Sequence, residues 1–253
     1  MNKNLIGLNI TYRYYKGKTQ VVTLLLHGWG GNLNSFRFLE SHLKQKKLSV
    51  LTLDFPGFGG SDAPREDFEL DDYYKIVEQL LIELNISKIN IVAHSFGGRI
   101  ALLVAARKPE IVNKLVLVDS AGIKPRFSIK KSIKVWHYKF LKKLKKAGII
   151  KKDLSNFGSS DYRAMPNSLK PVFNRIVNNN ITTNELKSIQ SPALIVWGKD
   201  DDSTPFYMAK KLNKHIKDSA IVALDGGHFA YLQNAEKFLI ILNSFIGDND
   251  ESI

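Results

Sequence analysis

The chain has 253 residues, of which 44% are hydrophobic, and its formal net charge is +13. This length and apolar content suffice for one sizeable core, or for a core with a small insertion. The absence of cysteine excludes disulfides, thiol nucleophiles and cysteine metal sites. No apolar run approaches the roughly 20 residues of a membrane span, and the N-terminal stretch does not resemble a signal peptide. We therefore expect a cytoplasmic protein without a membrane span.

Short apolar runs alternate with helical patterns along most of the chain. Strands are predicted, in chain order, at residues 5–15 (one or two strands), 20–26, 48–53, 88–93, 114–118, 192–197 and 220–224. Helices are predicted from apolar residues at three- and four-residue spacing at 34–46, 70–84, 100–107 and 235–246. Repeated strand–helix units predict a mostly parallel sheet with helices on both faces.

The alternation is interrupted after the strand that ends near Val118. Residues 123–184 form a basic segment with helical periodicity, which divides the core into residues 1–122 and 185–253. One stripe of this segment is apolar, with Ile129, Ile133, Trp136, Phe140, Leu144 and Ala147. Ten lysines and no acid lie between Ser128 and Lys152. Such a face suits an anionic partner, although a lysine-rich composition without a partner is the plainer interpretation.

A sharp turn follows the predicted strand at residues 88–93. Ala93-His94-Ser95-Phe96-Gly97 matches the G-x-S-x-G pattern with alanine in place of the first glycine, and a helical pattern follows at once. This order places the Ser95 hydroxyl at the edge of the sheet, where it could act as a nucleophile. The alternative is a buried serine in an ordinary turn between strand and helix.

A serine nucleophile needs a histidine base, and that histidine needs a carboxylate to fix its tautomer. Of the six histidines, His228 alone follows a glycine turn after the last predicted strand, so we expect it to be the base. Carboxylates that could reach it follow neighbouring strands: Asp200, Asp201, Asp202, Asp119 and, less favourably, Asp225. The residues alone leave this choice open.

Several further motifs, taken in this order, resemble the α/β-hydrolase-fold superfamily over nearly the whole chain. They are His27-Gly28-Trp29-Gly30, Asp54-Phe55-Pro56-Gly57-Phe58-Gly59, the Ser95 motif, Trp197-Gly198 with Asp201 and Pro205, and Gly226-Gly227-His228. The resemblance implies an eight-stranded α/β-hydrolase fold with a helical cap inserted after strand 6. It implies a Ser95, Asp201, His228 triad, with Asp119 as the reserve acid. It also implies an oxyanion hole from the backbone N–H groups of Trp29 and Phe96.

The same resemblance narrows the chemistry. Related haloalkane dehalogenases and epoxide hydrolases carry aspartate where Ser95 stands, which argues against both reactions. We expect a serine esterase that cleaves a small carboxylic ester through an acyl-enzyme, without cofactor or metal. Thioesters, amides, peracids and carbon–carbon bonds beside a carbonyl stay open. The pocket residues are predicted to be Trp29, Phe58, Trp136, Phe140 and Tyr162.

Two other functions compete with a simple esterase. The Gly-Trp-Gly loop and basic cap resemble pimeloyl-acyl-carrier-protein methyl ester esterases, which implies an acidic carrier protein as a partner at the cap. A ligand-binding receptor on the same fold would not require all three triad positions to be filled. Nucleic-acid binding is not expected, because the lysine run lacks interleaved aromatic residues and a binding motif.

Overall fold

The computed structural model describes residues 1–126, 137, 140, 141, 143–145, 147, 162, 163 and 165–247. Eight strands form one sheet in the order β1-β2-β4-β3-β5-β6-β7-β8. Their bounds are β1 Asn2–Leu5, β2 Leu8–Tyr15, β3 Val22–Leu26, β4 Ser49–Leu53, β5 Ile89–His94, β6 Val112–Val118, β7 Ala193–Gly198 and β8 Ser219–Leu224. The predicted eight-stranded, mostly parallel sheet is confirmed, since only the pairs β1–β2 and β2–β4 are antiparallel.

The described helices cover both faces of the sheet. They are α1 Arg37–Gln45, α2 Leu70–Glu83, α3 Phe96–Arg107, α4 Lys170–Asn178, α5 Thr183–Ser188, α6 Tyr207–His215, α7 Ala230–Gln233 and α8 Ala235–Ile246. Alternate side chains of β3 enter opposite cores, because successive residues of a strand face opposite sides. Leu24 and Leu26 pack with α2 and α3, whereas Leu25 packs with α1 and α8.

The register of the parallel strands sets where the site forms. His94 of β5 lies opposite Val118 of β6, and Val118 lies opposite Val196 of β7. Gly198, the last residue of β7, lies opposite Leu224, the last residue of β8. The carboxyl ends of these strands are therefore nearly level, and the loops that follow them meet at one edge.

The predicted cap segment is described in part. Its described residues contain no strand; they are helical at 137, 140, 141, 143–145, 162 and 163, in a short 3₁₀ helix at Asn167–Leu169 and in α4. α4 buries Val172 and Ile176 in the same core as α2 and α3. Phe140 is 48% exposed, whereas the apolar stripe was expected to face inward. The predicted boundary at residue 184 falls inside α5, because that helix begins at Thr183.

Candidate active site

Ser95 sits at the sharp turn between β5 and α3. Its φ of 50° lies in the left-handed region, which a residue with a side chain adopts only when its surroundings hold it there. The Ser95 N–H donates to the Val118 carbonyl (3.0 Å), and the Ser95 carbonyl accepts from the N–H groups of Gly98 (3.0 Å) and Ala121 (2.9 Å). Backbone bonds to two neighbouring segments therefore fix the turn that presents the hydroxyl.

The two glycines after Ser95 are needed for close packing. A Cβ on Gly97 would lie 2.3 Å from the Leu26 carbonyl oxygen, and one on Gly98 would lie 2.0 Å from Ser120 Oγ. α3 can therefore approach the ends of β3 and β6 only without side chains at these positions. This is the physical reason for the second half of the Ser95 motif.

His228 lies between Ser95 and Asp201. Its Nε2 is 2.9 Å from Ser95 Oγ, and its Nδ1 is 2.8 Å from Asp201 Oδ2. An ionised carboxylate only accepts hydrogen bonds, so the ring proton belongs on Nδ1 and Nε2 is free to accept from the serine hydroxyl. The structure thus brings together the three residues that the sequence predicted as a triad.

The loop after β7 supplies Asp201 with hydrogen-bond donors. Asp201 Oδ1 accepts from the N–H groups of Ser203 (2.8 Å) and Thr204 (2.9 Å), and Oδ2 accepts from Thr204 Oγ1 (2.7 Å). Burial acts to raise the pKa of Asp201, but the bonds from His228 and Thr204 outweigh it and hold that pKa below its usual value. Asp200 and Asp202 on either side are exposed.

Close packing of two loops brings Asp201 to His228. A Cβ on Gly198 would lie 2.3 Å from the Gly227 carbonyl oxygen, and the Asp200 N–H donates to the Gly226 carbonyl (3.0 Å). The buried Trp197 indole donates from Nε1 to the Thr204 carbonyl (2.7 Å), which braces the far side of the acid loop. The Trp-Gly motif therefore acts by positioning the loop that carries the acid.

Asp119, the reserve acid, occupies a different environment after β6. Its Oδ1 accepts from the Gly198 N–H (2.7 Å), and its buried Oδ2 has no hydrogen-bond partner among the described residues. Burial, with the neighbouring charge of Asp201, raises the pKa of Asp119 to about 8, so this carboxyl is mainly neutral at pH 7. No hydrogen bond within the described part of the chain joins it to His228.

Two more histidines hold the loops around Ser95. His27 donates from Nδ1 to the Gly28 carbonyl (2.7 Å) and accepts at Nε2 from the Phe55 N–H (3.0 Å). His94 donates from Nε2 to the His228 carbonyl (2.8 Å). Burial lowers the pKa of His27 to about 4 and that of His94 to about 3, so both are neutral at pH 7.

Trp29 lies at the centre of an aromatic cluster beside the turn. Its ring meets those of Phe58, Phe96 and Phe173 edge to face, at centroid distances of 4.9, 5.3 and 5.0 Å. No hydrogen bond between described residues takes up the backbone N–H of Trp29 or Phe96. Of the predicted pocket residues, Tyr162 has its ring centroid 6.0 Å from that of Phe173. Phe140 is half exposed, and Trp136 lies outside the described residues.

Sequence reasoning gave no role to two polar residues at this edge. Thr204 bonds to Asp201, and the buried Arg99 donates to backbone carbonyls of α4. An aspartate often accepts from the backbone N–H two residues on, which is the Ser203–Asp201 bond, but this signal does not indicate the Thr204 hydroxyl. Arg99 lies two residues beyond the Ser95 motif, where nothing in the sequence distinguishes it from a surface arginine.

Three further predictions concern a partner at the basic run, a metal and the membrane. Of the ten lysines in the basic run, Lys143 and Lys145 are exposed and the other eight lie outside the described residues, so the carrier-protein partner stays a prediction. Within the described ranges, no cluster of three or more His, Cys, Asp or Glu side chains could hold a metal ion. None of the helices in those ranges has the length and apolar character to cross a membrane.

Known proteins share this architecture. The family model of the alpha/beta hydrolase fold matches residues 22–147. The uncharacterized hydrolase YugF of Bacillus subtilis is 27% identical over 237 residues, covering 86% of this chain and 86% of its own length. The enol-lactonase from Burkholderia xenovorans LB400 superposes with a TM-score of 0.76 at 20% identity, covering 98% of this chain and 100% of that one.

A second solved structure extends the range of reactions found on this fold. The meta-cleavage product hydrolase from Pseudomonas fluorescens IP01 superposes with a TM-score of 0.72 at 18% identity, covering 99% of this chain. The chain belongs to the α/β-hydrolase-fold superfamily, as its sheet order, its motifs and the family model agree. Likeness at these identities shows the fold and leaves the substrate to the site itself.

Proposed function

We propose that the protein is a serine hydrolase that cleaves a small carboxylic ester through an acyl-enzyme. The observation that carries this proposal is the continuous hydrogen-bond chain from Ser95 Oγ through His228 to Asp201, with links of 2.9 and 2.8 Å. A binding protein has no need for a base oriented toward a strained serine, whereas acyl transfer depends on that geometry.

The proposed reaction has two halves. His228 Nε2 accepts the hydroxyl proton as Ser95 Oγ attacks the ester carbonyl carbon, and the oxygen that becomes negative is stabilised by the N–H groups of Trp29 and Phe96. The carbon–oxygen bond then breaks, and the His228 proton passes to the departing alkoxide. Water attacks the acyl-enzyme with His228 again as the base, which releases the carboxylic acid and restores Ser95.

An ester substrate is supported by the environment and by one relative. The rings around Trp29 offer an apolar surface beside Ser95, which suits an uncharged acyl group; we assign Phe58 and Tyr162 to it with Trp29. The structurally similar enol-lactonase is named for a lactone, which is a cyclic ester. The similar meta-cleavage product hydrolase makes carbon–carbon cleavage the alternative to be tested alongside.

The test is a panel of 4-nitrophenyl esters of increasing acyl length, with purified wild type and Ser95→Ala. We expect wild type to release a burst of nitrophenolate equal to the enzyme concentration, and kcat of Ser95→Ala to fall by about 10⁴–10⁶. Ser203→Ala is the matched control, because Asp201 uses only the backbone of that residue. Its kcat should match wild type.

Three outcomes would reject the proposal. Residual activity of Ser95→Ala above about a tenth of wild type would exclude Ser95 as the nucleophile. Tight binding of acyl esters without turnover by wild type would instead favour a receptor on this fold. Turnover of a vinylogous 1,5-diketone, with no turnover of any ester, would show that the protein cleaves a carbon–carbon bond instead of an ester.

A further inference from the structure

Arg99 connects the helix that follows Ser95 to a helix of the predicted cap. It lies one turn into α3, and its side chain is only 7% exposed. Its Nη1 donates to the carbonyl of Ile176 (3.0 Å) and to that of Asn179. Ile176 lies in the last turn of α4 and Asn179 follows that helix directly, so both carbonyls lie at its carboxyl end. The Ile176 carbonyl also accepts from the Asn179 N–H (3.1 Å).

The guanidinium has no carboxylate partner among the described residues. Burial lowers its pKa to about 10, which still leaves it charged at neutral pH. A buried charge is stable only where other groups compensate for the lost water. The carboxyl end of a helix carries a partial negative charge, so α4 supplies that compensation. The charge of Arg99 and the carboxyl end of α4 are thus electrostatically complementary. The two hydrogen bonds are therefore part of the buried structure rather than incidental surface contacts.

The entry and exit of the cap segment meet at the same place. The Ile181 N–H donates to the Gly122 carbonyl (2.9 Å), and a Cβ on Gly122 would lie 3.2 Å from Ile181 Cγ1 and 3.6 Å from Arg99 Cγ. Gly122 also has a φ of 121°, which favours glycine. Arg99 therefore lies beside the point where the chain enters and leaves the predicted cap segment. We expect a substitution at this point to shift the position of α4.

The other end of this connection reaches the aromatic cluster. α4 carries Phe173, whose ring lies 5.0 Å from that of Trp29. Trp29 in turn contacts Phe96, the first residue of α3. The height of α4 above α3 therefore sets the space between Phe173 and the turn that bears Ser95, which is where the acyl group of the proposed substrate would lie.

We propose that Arg99 is a positioning residue that fixes α4 over the site and thereby sets which acyl lengths are accepted. The acyl-length part rests on the proposed function, whereas the anchoring of α4 does not. Arg99→Met tests both, because methionine retains an unbranched apolar stem but neither charge nor donors. Arg175→Met is the matched control: Arg175 is also on α4 and also donates to a carbonyl, that of Glu66, but it is exposed.

Two measurements are compared for wild type and variants. Hydrogen exchange of the amides at 170–178 should become at least tenfold faster in Arg99→Met and stay unchanged in Arg175→Met. The ratio of kcat/KM for 4-nitrophenyl octanoate to that for the acetate should change at least fivefold in Arg99→Met, mainly through KM. Because the reacting groups are untouched, kcat on the acetate should stay within threefold.

A folded Arg99→Met with wild-type exchange and a wild-type ratio would overturn the proposal. If that variant does not fold, Arg99→Lys takes its place, since it retains the charge with a shorter reach. Exchange and selectivity should then shift in the same direction by a smaller factor, and wild-type values for both would again refute the anchor. Exchange measured in a Ser95→Ala background separates the two proposals, because it requires no turnover.

Discussion

The loops after β6 and β7 each contain a buried aspartate, yet the two carboxyls differ in charge. Asp201 accepts four hydrogen bonds, from two backbone N–H groups, the Thr204 hydroxyl and His228. Asp119 accepts one, from Gly198, and its second oxygen has no partner in the described residues. Both are at most 3% exposed. The supply of donors, rather than burial, therefore decides which acid is ionised.

In the proposed mechanism, this difference gives the two acids separate tasks. Only an ionised carboxylate stabilises the imidazolium that forms when His228 takes a proton. A neutral carboxyl beside it relieves the repulsion that two adjacent carboxylates would create. Thr204 stands between the two, since its Oγ1 lies 2.7 Å from Asp201 Oδ2 and 3.0 Å from the Asp119 carbonyl oxygen.

Of the variants that test the difference between the two aspartates, Asp201→Asn should lower the activity most. The amide would present a donor to His228 Nδ1 and favour the wrong tautomer, so we expect kcat on a 4-nitrophenyl ester to fall by about 10³–10⁴. Steady-state kinetics at pH 7.5 provide the measurement, and circular dichroism verifies the fold. If Asp119→Asn were crippled instead, with Asp201→Asn active, the acids would have to exchange roles.

Thr204→Val should have an intermediate effect. Valine has the same shape but removes the hydroxyl that donates to Asp201, and hydrogen bonds to charged groups are worth about 1.5–3 kcal/mol. We expect kcat/KM to fall by about 10-fold to 100-fold, since the bond supports the ionised acid. Thr204→Ser retains the hydroxyl and should stay close to wild type. Equal losses in both variants would point to packing of the methyl group.

Asp119→Asn should change the rate least, with kcat/KM within about threefold of wild type at pH 7, because asparagine resembles the neutral acid. Its main effect should be on stability. The unfolded carboxyl loses its proton near pH 4 and the folded one near pH 8, so wild-type stability falls as pH rises through that window. Asparagine carries no titratable proton, so the stability of Asp119→Asn should not show this fall.

The pH dependence provides the measurement for that variant. The melting-temperature advantage of Asp119→Asn should grow between pH 5 and pH 8 by about 7–14 °C, equivalent to roughly 3.5 kcal/mol. Asp225→Asn is the control, since Asp225 is exposed and forms an ion pair with the exposed Lys199. An advantage that is the same at both pH values would show that Asp119 is already ionised in the folded protein.

Sequence reasoning predicted the strands and helices better than it predicted which of the two buried aspartates is ionised. Apolar runs identify β3 to β7 because strands buried on both faces must be apolar. The edge strand β8 is also apolar in sequence, although most of its residues are only partly buried. Apolar runs do not reveal that residues 2–15 form a hairpin, since the first position of its Ile6-Gly7 turn is an isoleucine at positive φ rather than asparagine, aspartate or glycine. The prediction also missed α6, whose buried face consists only of Met208, Ala209 and Leu212.

The acid illustrates a limit of sequence reasoning. Five aspartates satisfied the requirement for a carboxylate near the sheet edge, and family resemblance singled out Asp201. Composition cannot make that choice, because ionisation depends on which backbone N–H groups the folded loops turn toward each oxygen. Arg99 escaped notice because its partners are backbone carbonyls, which leave no mark in the sequence. Thr204 escaped notice because only the folded loop brings its hydroxyl to the Asp201 carboxylate.

The sheet order has a consequence for the protein as it emerges from the ribosome. β3, β4, β5 and β6 can pair as soon as they are made, but β6 has no neighbour on its outer side until β7 appears at Ala193. At 5–20 residues per second, the intervening stretch takes roughly 4–15 s to synthesise. Throughout that interval a nascent chain with Ser95 already in its turn, but without base or acid, exposes an apolar strand edge. Such an edge pairs readily with other chains. This stage of synthesis is therefore where we expect the protein to depend most on chaperones.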